Sequence, residues 1–496
     1  MSEKIVIVGA GMAGLWSAMA LAGDGREILV LDRDPAPPEG GADAVFEHWS
    51  RRGVGHLRHS HAFLARLRTL VRDQHPRLHE ALLAAGCREL LFEGALSAKH
   101  KETYVPKPID ADLAILTSRR TTLEVEMRRY AEGLPGVTIR PETFVTALVI
   151  QPGAPPRVTG VRLEDGTELA ADIVVDAAGR NSQAAEQLAA AGATIPETSE
   201  PCGVIYFTRH YRLLPGASEP PRSKAGATGD LGYLKFGVFP GDSGCFSVTL
   251  CAPEVEIEMR KAIVDPQVFD AMCRQLPGVA PWIAPDRAQP TSRVYGMGQL
   301  ESRWRDYAPG GRATVLGFFP VGDGVVRTNP LYGRGCSFAA VSAHALRDAL
   351  AAEPNPALRL TLYRNALERE LRPYYEVMRK ADRSAIRRAR AALLPPAAPS
   401  LRSRVAKSFL EDGVAIAMRE DVDLLRAFLR GFHMLEDPRA WLRRPSNLAK
   451  IARAWARGKA RNAPLYPVKV GPDRIPMLEA VGISAEADAE RMRTAA

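Results

Sequence analysis

Apolar positions follow two rhythms along this chain. Near its start, Lys4–Val8 is a short β-branched run, Gly14 to Ala22 carries helical spacing, and Glu27 to Leu31 is a second apolar run ending at Asp32. This predicts a βαβ opening. A polar, proline-rich stretch, PAPPEGGAD, follows, and helical spacing returns in HAFLARLRTLVRDQHPRLHEALLAAG. An extended run from Leu113 to Thr117 precedes RTTLEVEMRRYAEG, a predicted helix closed by glycine and proline. Alternation at period two then takes over. VTIR, FVTALVI and RVTGVRLEDGTELAADIVVDAAG predict strands, with Asp165-Gly166 at a tight hairpin. From Cys202 to Tyr307 strand-like runs predominate, among them VIYFTRHYRL, GYLKFGVFP and CFSVTLCA, with a helical insert at VFDAMCRQL. ATVLGFFPVGDGVV returns to a buried strand and CSFAAVSAHALRDALAA to a helix. Beyond Pro354 the pattern is helical, broken at LLPPAAPS and at Asp437-Pro438. There is no internal repeat.

The predicted fold class is α/β in three parts. Residues 1–200, completed by 308–350, form a Rossmann-like domain; 201–307 form a mostly antiparallel substrate sheet; 351–496 form a helical C-terminal region.

Composition narrows the class further. With 46% hydrophobic and 25% charged residues in 496, the chain has the balance of a globular protein and not of a disordered one. Its opening lacks the basic start, apolar core and cleavage site of a signal peptide, and no apolar run reaches the roughly 18–20 residues that span a bilayer. The expected location is the cytoplasm. The six cysteines form no CxxC pair, which fits reduced thiols and no zinc site. Much of the net charge of +9 lies in C-terminal runs such as RSAIRRARAALL and RRPSNLAKIARAWARGKAR. The 7% of aromatic residues are not arranged as a basic stacking platform, so nucleic acid is not an expected partner.

The glycine loop GAGMAG sits between a strand and a helix. There Gly9 allows the tight turn, Gly11 lets backbone approach a pyrophosphate, and Gly14 lets helix and strand pack closely. The helix start, with Met12 and Ala13, offers free N–H groups to phosphate, and Asp32, followed by Arg33, suits ribose hydroxyls. Nicotinamide or flavin would satisfy this loop equally. The choice is made further along, because DIVVDAAGRNS and VLGFFPVGDGVVRTNPLYGRGCS repeat the strand-to-glycine logic twice more. Three such sites suit one long cofactor lying across a sheet.

Together, GAGMAG with Asp32, AAGRNS and VGDGVVRTNPLYGRGCS resemble the three fingerprints of the FAD-dependent monooxygenases related to p-hydroxybenzoate hydroxylase and squalene epoxidase. The likeness is greatest to bacterial polyether polyketide epoxidases and covers roughly residues 1–350. RRGVGHLRHSHAFLARLR and SRRTTLEVEMRR resemble two further family segments. The resemblance implies that Gly9, Gly11 and Gly14 line the pyrophosphate and Asp32 the adenosine ribose. It places Arg120 at the pyrophosphate or ribityl side, Val145 at the adenine, Gly179 in the second fingerprint and Asp323 at the ribityl chain. The turn from Pro330 through Gly333 and Gly335 to Cys336 would bring N–H groups to the flavin ring, and Arg58 would place positive charge near the flavin or its phosphates. Oxygen insertion, by epoxidation or hydroxylation of a lipophilic alkene or polyketide-like compound through a flavin C4a-hydroperoxide, is the implied reaction. O2 is then co-substrate, and NAD(P)H the reductant, directly or through a flavin reductase.

Two departures bear on that reductant. Ala178 stands where the family's hydroxylases carry the aspartate of an ADG turn, and Gln183-Ala184-Ala185 supplies no arginine there, which favours a separate flavin reductase. Gly55-His56 replaces the family's Pro-Gln. The spacing of His56, His59 and His61 admits metal ligation, but partners elsewhere are not evident and no metal is expected. Cys336 reads as a small residue that fits beside the ring. Trp282 stands in PWIAP without the full WxWxIP pattern of flavin-dependent halogenases. A halogenase and a reductase or desaturase are the alternative enzymes. Phe236, Phe239 and Phe246 are candidate pocket aromatics, although each reads first as core. In SNLAKIARAWARGKAR, Leu448, Ile451, Ala452 and Trp455 share one face and Lys450, Arg453 and Arg457 project from others, a pattern that serves packing on the protein itself or peripheral contact with a membrane. A membrane-docking flavoprotein scaffold is the alternative of another class. No side chain is assigned as catalytic.

Overall fold

Short apolar runs at the start of the chain pair side by side because each is too short and too buried to stand alone. A computed structural model describes residues 3–394 and 400–494. In it Phe318–Pro320, Ile173–Asp176, Lys4–Val8, Glu27–Leu31 and Val137–Arg140 form a five-stranded parallel sheet in that spatial order. Register is continuous, with Ile5 opposite Ile173 on one side and Ile28 on the other. The Met12–Leu21 and Gly335–Ala352 helices pack against each other over this sheet, and Leu15, Trp16, Val175, Phe318 and Phe338 are buried in its core. Arg120–Glu132 is the next helix, as its apolar spacing predicts.

A second sheet is antiparallel throughout. Val204–Leu213 lies within it, paired from Val204 to Arg212 with Cys245–Pro253, which in turn pairs with Lys235–Pro240. Val279, Trp282 and the Pro266–Arg274 helix bury one face of it. Two features depart from the three-part reading. Glu301–Arg305 leaves this sheet and pairs with Glu197–Pro201 and Val326–Arg327 in a separate three-stranded one. The chain after residue 466 returns to the second sheet, where Met477 and Leu478 are buried in its core and Arg474 makes a bidentate pair with Glu256 at 2.8 Å. The helical pattern over 62–86 also divides. Pro76, which has no N–H to donate, opens a new helix, Pro76–Ala84, after Ala65–Gln74 ends.

The C-terminal helices form a third core around Ile416, Leu424, Trp441 and Ile451. Residues 395–399, most of the proline-rich break in LLPPAAPS, lie outside the described residues. Among the described residues no helix is long and apolar enough to cross a membrane.

Candidate functional site

Backbone leaves the Lys4–Val8 strand directly into the first glycine bend. Gly9 has φ +102°, and a Cβ there would lie 2.7 Å from the Ala177 carbonyl oxygen. Gly14 is more tightly placed, since its Cβ would lie 1.8 Å from the carbonyl oxygen of Gly9. These two serve the packing of bend, helix and neighbouring strand. Gly11 differs: nothing lies within 4 Å of where its Cβ would be, and it opens on a cavity that Met12 and Ala13 also line. No side chain caps the Met12–Leu21 helix, so its first N–H groups remain available to an acceptor.

Asp32 follows at the end of the neighbouring strand, almost fully buried. Its Oδ1 accepts the Asp34 N–H at 3.2 Å, and its Oδ2 lies 3.0 Å from a guanidinium nitrogen of Arg51 yet accepts no hydrogen bond. Burial pushes the carboxyl upward, against the pull of Arg51. Arg51 is the hub of this corner, pairing also with Asp34 at 3.2 Å and with the wholly buried Glu124 at 2.7 Å. Glu124 in turn accepts from Arg120 at 2.9 Å, and Arg120 meets His56.

The second bend leaves the Ile173–Asp176 strand. Asp176 holds it in place, accepting the Ala178 N–H at 3.1 Å and the Ser182 hydroxyl at 2.5 Å, before Gly179 turns with φ +71°. The third is built on Asn329, whose Oδ1 accepts the Leu331 N–H at 3.0 Å and the Tyr206 hydroxyl at 2.5 Å. Its Nδ2 donates at 2.9 Å to Asp382, which comes from the Arg372–Ala392 helix and also accepts from Tyr332 at 3.0 Å. Asp382 is buried, and its carboxyl is pushed up to about 6. Gly333 then adopts φ +63°, left-handed backbone that favours glycine, and the Gly335–Ala352 helix begins without a side-chain cap.

All three bends face one cavity of ≈ 1310 Å³. That exceeds the roughly 300–1,000 Å³ of a drug-sized site and leaves room for a dinucleotide and a second molecule. Its wall includes Gly9, Gly11, Met12, Ala13, Asp32, Arg33, Arg120, Val145, Gly179, Asp323, Pro330, Gly333, Gly335 and Cys336. Two predicted residues lie elsewhere. Gly14 is behind the wall, consumed by its contact with Gly9. Arg58 turns away: it donates to the carbonyls of Phe46 at 2.7 Å and Trp49 at 3.0 Å, holding the end of the Ala42–His48 helix, which corrects its placement near phosphate. Trp282 packs on Phe246, ring centres 5.2 Å apart, inside the second sheet's core. Phe236 and Phe239 line the cavity; Phe246 does not.

The histidine triplet also lines the cavity, as uncharged groups. His59 shares a hydrogen bond with Thr208 at 3.0 Å and His61 donates to the His59 carbonyl at 2.8 Å. Burial holds His56 well below the ordinary histidine range, His59 at about 4 and His61 at about 3. Among the described residues no group of three or more potential ligands is placed to hold a metal ion. Burial raises the Cys336 thiol to about 11, leaving it protonated and inert at neutral pH. Sequence reasoning missed Arg51, although RRGVGH contains it, and missed Phe432 and His433, which reach the cavity from the end of the Val422–Phe432 helix.

These features fit FAD. The open face of Gly11, the unsatisfied Oδ2 of Asp32 and two uncapped helix starts line one chamber, each suited to a different part of a flavin dinucleotide.

Comparison with known proteins agrees. Residues 4–118 match the family of FAD dependent oxidoreductases. Protein Rv3254 of Mycobacterium tuberculosis is 28% identical over 386 residues, 71% of this chain and 73% of that protein. Among solved structures, pqsL, a probable FAD-dependent monooxygenase from Pseudomonas aeruginosa, is similar with a TM-score of 0.55 and 19% identity, over 79% of this chain and 99% of its own. The Diels-Alderase PyrE3 of the pyrroindomycin pathway gives 0.57 and 18%, over 88% of this chain and 81% of its own. Residues 4–118 are thus similar to the FAD dependent oxidoreductases, and the chain shares its fold with pqsL and PyrE3.

Proposed function

We propose that the protein is an FAD-dependent monooxygenase that inserts oxygen, by epoxidation or hydroxylation, into a lipophilic alkene or polyketide-like small molecule. The observation that carries this reading is the continuity of the chamber: the wall that holds Gly11 and Asp32 runs past Gly333 onto the antiparallel sheet without interruption. When bound, FAD supplies two-electron activation of dioxygen, with NAD(P)H as reductant directly or through a flavin reductase.

The chain supplies binding, orientation and exclusion of water. Gly11 and the first N–H groups of the Met12–Leu21 helix take the pyrophosphate, and Asp32 the ribose. Backbone N–H groups at the start of the Gly335–Ala352 helix favour negative charge on the flavin ring. Beyond that turn the wall carries Phe236, Phe239, Met297, Leu300, Leu331 and Phe432, with Asp230, Lys235, Glu301 and Arg327 among them. Thr208 and Thr249, joined at 2.8 Å, and Ser60, 2.7 Å from Thr249, lie on the sheet side. These surroundings support a lipophilic skeleton carrying one polar group. The neutral imidazoles of His59 and His61 add no charge that would draw water in.

Purified protein is expected to be yellow, and a candidate lipophilic substrate should raise its oxygen uptake in step with substrate consumption. NADH and NADPH oxidation would be followed with and without an added flavin reductase. Colourless protein that fails to take up FAD, or reductant oxidation with no oxygenated product from any apolar alkene or polyketide tested, would overturn the reading.

A further inference from the structure

We propose that residues 400–461 form a docking face for an anionic phospholipid bilayer. The Pro445–Asn462 helix is apolar on both sides. Ile451 and Ala454 are buried against the neighbouring helices, while Leu448 is 44% and Trp455 37% exposed, with exposed Ala449, Ala452 and Ala456 on the same outer side. A helix serving only to pack on the protein would carry polar residues there.

A second helix extends the face. Leu401–Ser408 buries none of its residues, and Leu401 and Val405, one turn apart, are 69% and 46% exposed, with Leu410 at 59% just beyond. The two helices meet through Trp455, whose indole N–H donates to the Ser408 hydroxyl at 3.0 Å and whose ring packs edge-on against Phe409 at 5.4 Å.

Charge identifies the occupant. Between residues 400 and 469 there are fifteen Lys and Arg against seven Asp and Glu, in a chain whose net charge is +9. Lys450 and Arg457 are engaged by Asp421 and Glu420 on the inner flank. Arg402, Arg404 and Arg461 form no ion pair among the described residues, Arg453 is near Glu420 without a direct ion pair, and all four are exposed. An apolar centre with a tryptophan and a rim of free cations matches the layered chemistry of an anionic lipid surface, hydrocarbon beneath phosphate. A second copy of the chain would bring the same excess of positive charge against itself. Nucleic acid would meet hydrocarbon where it needs donors.

The face is mechanically close to the chamber. Lys450 anchors to Asp421, which caps the Val422–Phe432 helix, and that helix ends at the cavity wall about 16 Å away at 1.5 Å per residue. Docking is independent of which substrate the chamber takes.

The test is co-sedimentation of the full-length protein with phosphatidylcholine vesicles and with vesicles containing phosphatidylglycerol. Strong pelleting with the anionic vesicles, weakened by salt, is expected. Arg402→Glu, Arg404→Glu and Arg461→Glu combined should weaken partitioning at least tenfold, and because these side chains are exposed and make no ion pair among the described residues the melting curve should be unchanged. Leu448→Asp should do the same. Equal partitioning onto both vesicle types, or undiminished binding by the triple variant, would overturn the proposal. So would vesicle binding that is absent while the same substitutions abolish self-association in sedimentation velocity or binding to duplex DNA.

Discussion

Three glycines in one hexapeptide, GAGMAG, do opposite kinds of work, and substitution separates them. Ala at Gly14 would drive a methyl group to within 1.8 Å of the Gly9 carbonyl oxygen, so backbone must shift. Gly14→Ala is expected to cost at least about 1–3 kcal/mol of stability, read as a lower urea midpoint. Gly11→Ala meets no protein atom and should leave stability within about 0.5 kcal/mol while weakening FAD binding, measured by flavin fluorescence titration. Arg51 is a third case. Its removal takes from three adjacent buried carboxylates, Asp32, Asp34 and Glu124, the cation they share, leaving Arg120 on Glu124 alone, and Arg51→Ala is expected to lose about 3–5 kcal/mol even in protein stripped of flavin. If that variant instead melted normally and lost only affinity for FAD, the ion-pair account of this corner would be wrong.

At the level of elements, the third bend depends on a helix distant in sequence. Asp382, on the Arg372–Ala392 helix, satisfies both Asn329 and Tyr332, so a peripheral helix fixes the turn that carries Gly333. Asp382→Ala leaves the wholly buried Asn329 amide without its partner, at about 1–3 kcal/mol, and frees the half-buried Tyr332 hydroxyl. Hydrogen exchange should show faster opening of 329–336 than of the parallel sheet. The strands and helices themselves were largely legible. Lys4–Val8, Glu27–Leu31 and Val204–Leu213 occupy the residues their apolar patterns predict, because period and β-branching act locally. Glycine bends were legible for the same reason. Arg51, Asp382 and Phe432 were not, since their significance lies in partners tens to hundreds of residues away. Arg58 shows the converse: a motif suggested phosphate, and local geometry gave it to three carbonyls of the preceding helix and its end.

Taken as a whole, the molecule buries several uncharged imidazoles. His59, His75, His210 and His433 are held at about 4 and His61 at about 3 by burial. An unfolded histidine takes up its proton near 6.5, whereas these do not until much lower pH, so the unfolded state binds more protons in between. Stability should therefore fall as pH drops from about 6.5 toward 4, each histidine steepening the loss by up to about 1.4 kcal/mol per pH unit. Chemical denaturation across that range would measure it, and a flat profile would contradict the buried neutral assignment.

The last wall of the chamber, Phe432 and His433, is lent by a segment that has its own core and also plants Met434 in the main one. Enzymes assembled in this manner can change what they accept without disturbing how they are powered. Chimaeras exchanging the stretch from 400 to 461 with that of a relative should keep their yellow colour while their preference among hydrocarbon guests is redrawn.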